Sequence, residues 1–456
     1  MDHSDESIQK LKDGDREFVW HPFTQMQEYA LEDPVVIEKA KGSWLIDIEG
    51  RRYLDGVSSL WVNVHGHRHS VIDNAIKAQI DRVAHSTLLG LANVPAIELA
   101  MKLNEIAPKG LRKVFYSDNG SSSVEIALKM AFQYFQHRRG STCGKTGFIA
   151  LANAYHGDTI GSVSVGGIPL FHELFRPLLF PCTFAPSPYC YRCPLDKSYP
   201  ACGLACTDAL ETIVKEVHQE TAGLIVEPLV QGAAGILVAP EGYLRRVREI
   251  CNRYNLLMIA DEVATGFGRT GTLFACEQEG VAPDLLCLAK GITGGTLPLA
   301  ATLATDRIFS AFLGAHAELK TFFHGHTYTG NPLACAAALA SISLFESEDF
   351  FSRLRARIDF LEKELASLKR LTHVGEIRQK GMMVGIELVQ NRETKEPYAL
   401  EEKIGHRVIL AARSRGLILR PLGNVIVLMP PLSMSKVDLS SLVSITAEAI
   451  AQVTEP

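Results

Sequence analysis

One feature constrains the fold more than any other: short apolar, β-branched runs that recur along the middle of the chain. They lie at Gly147–Leu151, Gly223–Val226, Leu256–Ala260, Leu285–Leu288 and Leu299–Leu303. Between several of them stand stretches with apolar residues at three-to-four spacing, such as Ser122–His137 and Thr207–Gln219. Strands that alternate with helices indicate an α/β fold with a mostly parallel sheet. This block runs from about residue 60 to about residue 330.

The ends of the chain read differently. Residues 35–55 form a small antiparallel hairpin pattern with Glu49-Gly50 as its turn signal. An apolar, small-residue-rich run at Leu333–Phe345 reads as a buried helix, and residues 347–369 as a charged amphipathic one. Short strands follow around Gly381–Leu388 and Val425–Met429, then a final helix, so the C-terminal third reads as α+β. The hairpin could pack with either block.

Length and charge narrow the function. At about 150 residues per domain, a chain of 456 residues suggests about three domains or two large ones. With 47% hydrophobic residues it can bury a large core without a disulfide scaffold. Lys+Arg total 46 against Asp+Glu 51, a net charge of -5, which argues against a generally basic surface for nucleic acid. No window reaches the roughly 18 consecutive apolar residues of a membrane span. The nearest, Ala222 to Pro240, carries Glu227 and Gln231. The first residues, MDHSDESIQKLKDGDREF, hold no apolar stretch of the kind a secretory signal needs. A cytoplasmic protein with reduced cysteines is therefore the expectation.

Four places in the α/β block carry chemistry. Leu256–Val263 is an apolar strand that ends in two carboxylates, Asp261 and Glu262, and ligands of open α/β sheets bind at the carboxyl ends of strands. The plain alternative is a solvated strand end. Lys290 follows a short apolar strand and precedes a glycine-rich turn. Partial desolvation there disfavours the ammonium, and the neutral amine is a nucleophile able to form a Schiff base. The alternative is a surface lysine that opens a loop. Asn119-Gly120-Ser121-Ser122-Ser123 joins the strand Lys113–Tyr116 to a helix, so its N–H groups and hydroxyls form a candidate phosphate cradle. A simple helix cap is the competing explanation. Ala154-Tyr155-His156-Gly157-Asp158 adds an aromatic ring, an imidazole and a carboxylate at another strand end.

Together these groups are what pyridoxal 5'-phosphate requires: a Schiff-base lysine, a carboxylate for the pyridinium nitrogen, a phosphate cradle and an aromatic platform. Gly266-Phe267-Gly268-Arg269-Thr270-Gly271 matches G-x-G-x-x-G, but that fingerprint should open a helix directly after a strand, and here TLFACEQEG is a weak helix start. Cys190, Cys193, Cys202 and Cys206 depart from common zinc spacings, and unliganded thiols are the favoured reading, with no metal site expected. His65, His67, His69, His324 and His326 show no i, i+4 helical pair with a glutamate, so structural or channel roles are expected for them.

The stretch IADEVATGFGRTG followed by LAKGITGG resembles the class III pyridoxal-phosphate aminotransferases of fold type I, and the resemblance covers nearly the whole chain. WHPFTQM, SSLWVNVHGHRH, AYHGDT, HGHTYTGNPLACAAA and LRPLGNVIVLMPP are similar to the biotin-synthesis branch of that family, which converts 8-amino-7-oxononanoate to 7,8-diaminononanoate. The resemblance implies a ping-pong course in which Lys290 bonds to the cofactor and later moves the proton. It implies that Asp261 holds the pyridinium nitrogen, that Gly120 and Ser121 bind the phosphate, and that Tyr155 stacks on the ring. It implies a homodimer in which Thr327, with His326 beside it, reaches the partner's phosphate. Gly325 would line the substrate channel, and Arg420 would pair with the keto-acid carboxylate. Phe23 and Leu60 stand where many users of S-adenosylmethionine carry tyrosine and tryptophan, although Trp61 is retained. The implied donor is S-adenosylmethionine or lysine. The implied division is a large cofactor domain, residues 60–332, and a small domain from residues 1–59 and 333–456. Two alternatives stand beside this reading. One is another class III ω-aminotransferase acting on ornithine, 4-aminobutyrate or a diamine. The other is a zinc- or nucleotide-binding protein without amino transfer.

Overall fold

The protein, seen in a computed structural model, is described over residues 4–139 and 144–455. After an N-terminal helix, Asp5–Phe18, come β1 (Ile37–Lys41), β2 (Trp44–Asp47) and β3 (Arg52–Asp55). The expected two-stranded hairpin is thus a three-stranded antiparallel meander. Besides the turn at Gly50 there is a second one at Gly42, whose φ of 58° suits a residue without Cβ.

The central sheet is built from β4 (Leu111–Ser117), β5 (Gly147–Leu151), β6 (Thr183–Ala185) and β7 (Thr221–Val226). A two-stranded hairpin, β8 (Val230–Gln231) and β9 (Leu237–Val238), follows outside it. The sheet then gains β10 (Leu257–Asp261), β11 (Leu285–Leu288) and β12 (Ala300–Thr305). Its order is β4-β12-β11-β10-β7-β5-β6. From β11 to β6 every pairing is parallel, whereas β12 runs antiparallel to both β11 and β4. The cause is connection length. Only a tight turn, Lys290–Thr293, and a short loop separate β11 from β12, and a parallel return needs a longer crossover. β7, β10 and β11 are buried along their whole length, which is why they read as continuous apolar runs.

Alternate residues of β10 and β11 feed two cores. Leu257, Ile259, Leu285 and Cys287 pack with Val124, Ala127, Leu128 and Ala131 of the helix Gly120–Arg139. Met258, Ala260, Leu286 and Leu288 join the larger cluster on the other face, with Val247 and Ile250 of the helix Tyr243–Arg253. The expected buried helix is Pro332–Ser343, capped by Asn331, whose side chain accepts the Ala334 N–H at 3.1 Å.

The C-terminal part forms β13 (Val374–Lys380), β14 (Met383–Asn391), β15 (Glu396–Pro397), β16 (Leu417–Ile418), β17 (Arg420–Leu422) and β18 (Val425–Leu428), then the helix Lys436–Thr454. The N-terminal meander joins this end of the chain: β3 pairs in parallel with β16, Leu54 opposite Leu417. The amphipathic helix read over 347–369 is Phe350–Leu365, tightening into a 3₁₀ turn at Ala366–Arg370. Gly266–Gly271 lies in consecutive turns, and the next element is the 3₁₀ segment Ala275–Glu279, so the geometry of a dinucleotide fingerprint is missing there. No helix among the described residues is long and apolar enough to cross a membrane.

Candidate active site

At the carboxyl ends of the parallel strands the sheet opens into a cavity of ≈ 700 Å³. Asp261, the last residue of β10, lies on its floor and is 4% exposed. Its Oδ2 is 2.7 Å from His156 Nδ1, and its Oδ1 accepts the Val263 N–H at 3.0 Å. The other ring nitrogen of His156 is buried without a partner. Glu262, one residue on, faces the opposite way, as strand alternation requires. Its carboxylate accepts the N–H groups of Ala275 and Cys276 at 2.7 and 2.8 Å, away from the cavity. Of the two adjacent acids, only Asp261 belongs to the site.

Lys290 stands just beyond β11 with φ 45°, the left-handed region. Its Nζ is 5.5 Å from the centroid of the Trp61 ring. Burial lowers its pKa, and the nearby carboxylates Asp261, Glu227 and Asp158 oppose that shift while Arg269 adds to it. The net direction makes the neutral amine easier to reach. The functional floor also contains Glu227, which follows β7 directly. Its Oε1 accepts the Tyr155 N–H at 3.0 Å and its Oε2 the Gly232 N–H at 2.8 Å. Burial, aided by Asp261 and opposed by His156, pushes its pKa up to about 7. The sequence registered Glu227 only as a charge interrupting an apolar run. Its place one residue past a buried strand is the same signal that singled out Asp261.

Opposite the floor, β4 leads into the helix Gly120–Arg139. Asn119 caps it, with Oδ1 accepting the Ser122 N–H at 2.9 Å, and Asn119, Gly120 and Ser121 line the cavity. Ser121 Oγ accepts the Thr159 N–H at 3.0 Å and lies 2.9 Å from Thr159 Oγ1. Two close approaches leave no room for side chains here. A Cβ on Gly120 would come within 2.6 Å of Val263 Cγ1, and one on Gly157 within 2.4 Å of Ser121 Oγ. Tyr155 lines the cavity, and its hydroxyl donates to Asp158 Oδ2 at 2.8 Å. Burial and that carboxylate hold the phenol well above its usual pKa, so it keeps its proton.

Leu60 and Trp61 complete the cavity wall from a turn in which Ser58, Ser59 and Trp61 all have positive φ. Phe23 and Arg420 lie outside it as a separate patch, the guanidinium 6.0 Å from the Phe23 ring centroid. Phe171 links that patch to the cavity, its ring 5.7 Å from Phe23 and 6.2 Å from Tyr155. Gly325, His326 and Thr327 do not line the cavity of their own chain. Gly325 and Thr327 are exposed, and His326 Nε2 is 3.9 Å from Asp118, a cavity residue.

Structural roles explain two other histidines. His65 Nε2 is 3.0 Å from the Ser341 carbonyl, and His67 Nε2 is 2.8 Å from Asp55 Oδ2. Cys190, Cys193, Cys202 and Cys206 are free thiols around one small cavity. Among the described residues, no group of three or more His, Cys, Asp or Glu is arranged to hold a metal ion.

A buried carboxylate, a partly desolvated amine, a flat ring and a helix start that admits no extra side chain fit a phosphate-bearing pyridine aldehyde. The comparisons agree with this chemistry. The chain is 59% identical over 446 residues to the adenosylmethionine-8-amino-7-oxononanoate aminotransferase of Nitratidesulfovibrio vulgaris, covering 98% of this chain and 82% of the relative. It is 56% identical to the protein of that name from Geobacter sulfurreducens, over 99% of both. The crystal structure of the Methanocaldococcus jannaschii protein of that name superposes with a TM-score of 0.93 at 46% identity, covering 98% and 99% of the two chains. An amine transaminase from an uncultivated Pseudomonas species, in its PLP-bound form, gives 0.91 at 39% identity, covering 96% and 99%. Residues 26–450 match the family described as Aminotransferase class-III, and the chain belongs to that family.

Proposed function

We propose that this chain is a pyridoxal-phosphate aminotransferase that converts 8-amino-7-oxononanoate to 7,8-diaminononanoate in biotin synthesis, drawing the amino group from S-adenosylmethionine or lysine. The carrying observation is the convergence in one cavity of a partly desolvated Lys290 and the buried Asp261–His156 pair. When bound, the cofactor supplies an aldehyde for the amino group and a ring that withdraws electrons from the reacting carbon.

The protein's own residues do the rest. Asp261 would pair with the ring nitrogen of the cofactor, and His156 orients that carboxyl group at 2.7 Å. Gly120 and Ser121, at the helix start, bind the phosphate. Tyr155 covers one face of the ring. Lys290 would hold the cofactor through its amine, and as a free base its Nζ would serve as the group that takes up and returns a proton beside the reacting carbon. Leu60 and Trp61 wall the reacting end and exclude water. Arg420, bordered by Phe23, receives the far carboxylate of the amino-oxo acid as a bidentate pair.

Gly325, His326 and Thr327 serve the partner's site in a cytoplasmic homodimer, with Gly325 along the substrate channel and Thr327 on the phosphate. The exposure of this segment in the single chain supports that reading. The chain divides into a large domain, residues 60–332, and a small one made from 1–59 and 333–456. The pairing of β3 with β16 supports that division.

The test mixes the yellow holoenzyme separately with S-adenosylmethionine and with lysine and follows loss of the cofactor's absorbance. One donor should discharge it, and 8-amino-7-oxononanoate should then restore it. Indifference to the amino-oxo acid, with rapid turnover of ornithine, 4-aminobutyrate or a diamine, would instead identify another ω-aminotransferase.

A further inference from the structure

The loop that carries Phe23 is held by a small polar clasp at its base. The loop joins the helix Asp5–Phe18 to the short helix Met26–Tyr29. Asp15, on the first helix, reaches both sides of the loop. Its Oδ1 is 3.0 Å from His21 Nε2, and its Oδ2 accepts the Tyr29 hydroxyl at 2.6 Å. The His21 and Tyr29 rings lie 4.4 Å apart. Burial and the Asp15 carboxylate raise the Tyr29 pKa, so the phenol remains a donor.

The first helix is itself anchored. Lys12 is 7% exposed and donates to Asp33 Oδ1 at 2.8 Å and also to Glu49. Arg16 donates to the Glu32 carbonyl at 3.0 Å. At the loop's tip Phe23 adopts φ 51°, a conformation that β-carbon-bearing residues avoid unless their surroundings impose it. The residue is 57% exposed, and its ring lies 5.7 Å from the Phe171 ring and 6.0 Å from the Arg420 guanidinium. A half-exposed ring on a strained turn needs restraint from its base.

We propose that Asp15 is a positioning residue: through His21 and Tyr29 it holds the Phe23 loop so that the ring borders Arg420 and Phe171 in the patch beside the cavity. It touches neither cofactor nor substrate and acts only through Phe23. The inference rests on the reading of Arg420 as the carboxylate's partner. Losing the clasp frees Phe23 from the guanidinium, so the amino-oxo acid binds more weakly while the chemical step is spared.

The experiment compares Asp15→Asn, Tyr29→Phe and Phe23→Ala, singly and as the Asp15→Asn/Phe23→Ala pair, in the holoenzyme. KM and kcat for 8-amino-7-oxononanoate are measured beside amide hydrogen exchange over residues 19–29. Asp15→Asn should speed exchange in that segment and raise KM about tenfold with kcat nearly unchanged, the cost of a lost charge-assisted hydrogen bond. Phe23→Ala should raise KM similarly, and the pair should be no worse than Phe23→Ala alone. Tyr29→Phe should act in the same direction and guards against misfolding of the first variant. An unchanged KM in Asp15→Asn and Tyr29→Phe, with a raised one in Phe23→Ala, overturns the inference, and so does additivity in the pair. Arg420→Ala separates the two readings: if it leaves KM unaltered, the carboxylate assignment fails, whereas a raised KM there with an inert Asp15→Asn condemns the clasp alone.

Discussion

On the floor of the cavity, Asp261, Glu227 and Lys290 each stand within two residues of the end of a neighbouring buried strand. In the patch outside the cavity lining, the rim, Phe23 and Arg420 arrive from opposite ends of the chain and meet across 6.0 Å. The floor owes its geometry to the sheet. Once β7, β10 and β11 pair in parallel, the residues after them must converge, because the register fixes them. The rim owes its geometry to how separate segments dock. The floor therefore suits chemistry common to many amino donors and acceptors, and the rim suits recognition of one substrate.

The comparison breaks most sharply at Lys290. Lys290→Ala should lower turnover in both half-reactions by about four orders of magnitude, the upper range for losing a positioned acid–base group. Purified variant protein should also lack the absorbance of a covalently held cofactor. A variant that still turned over the donor at a rate near the parent's would remove Lys290 from the floor's chemistry altogether. Asp261→Asn follows, with a loss of about 10²–10³-fold in kcat, typical of removing a preorganised charge. It should strike donor and acceptor alike. A loss confined to one of them would mean that Asp261 belongs to recognition rather than to chemistry.

Rim changes should divide the two substrates. Arg420→Ala should raise KM for 8-amino-7-oxononanoate by about 10–100-fold, the scale of a bidentate carboxylate pair. Steady-state kinetics with saturating donor checks this, and kcat should fall far less than in the Asp261 variant. Equal damage to floor and rim functions would erase the distinction between them.

The same contrast explains what could be read from the sequence. Short runs of four or five residues give away strands, and their ends locate Asp261, Lys290, Tyr155 and the helix start at Gly120 without any knowledge of tertiary structure. Pattern fails where tertiary docking decides. Nothing local in LRPLG tells that Arg420 meets Phe23, and nothing in the sequence near Asp15 announces its grip on His21 and Tyr29. The antiparallel direction of β12 escaped because an apolar run carries no direction, and only the short turn after Lys290 determines it. Glu262 and Asp261 look equivalent as letters, and strand alternation sends one to the cavity and the other to the N–H groups of Ala275 and Cys276.

The smallest expected effect sharpens the definition of the floor. Glu227 lines the cavity, yet both its carboxylate oxygens are engaged by backbone N–H groups. It therefore reaches the reacting atoms by its charge rather than by contact. With a pKa raised to about 7, it is mostly neutral below that pH and ionised above it. The ionised form favours the Lys290 ammonium, so rising pH through this range restrains the amine that must be neutral to act. Glu227→Gln carries no charge at any pH. The variant should lose the inflection near pH 7 from the kcat profile, which reports the complex in which the donor has freed the Lys290 amine, and the limb that reports Lys290 should move to lower pH. At neutral pH the rate itself should change by less than about tenfold, since only a neighbouring charge is removed. An inflection that persists in Glu227→Gln would assign that titration to another group, and a loss as large as that of Asp261→Asn would make Glu227 part of the chemistry.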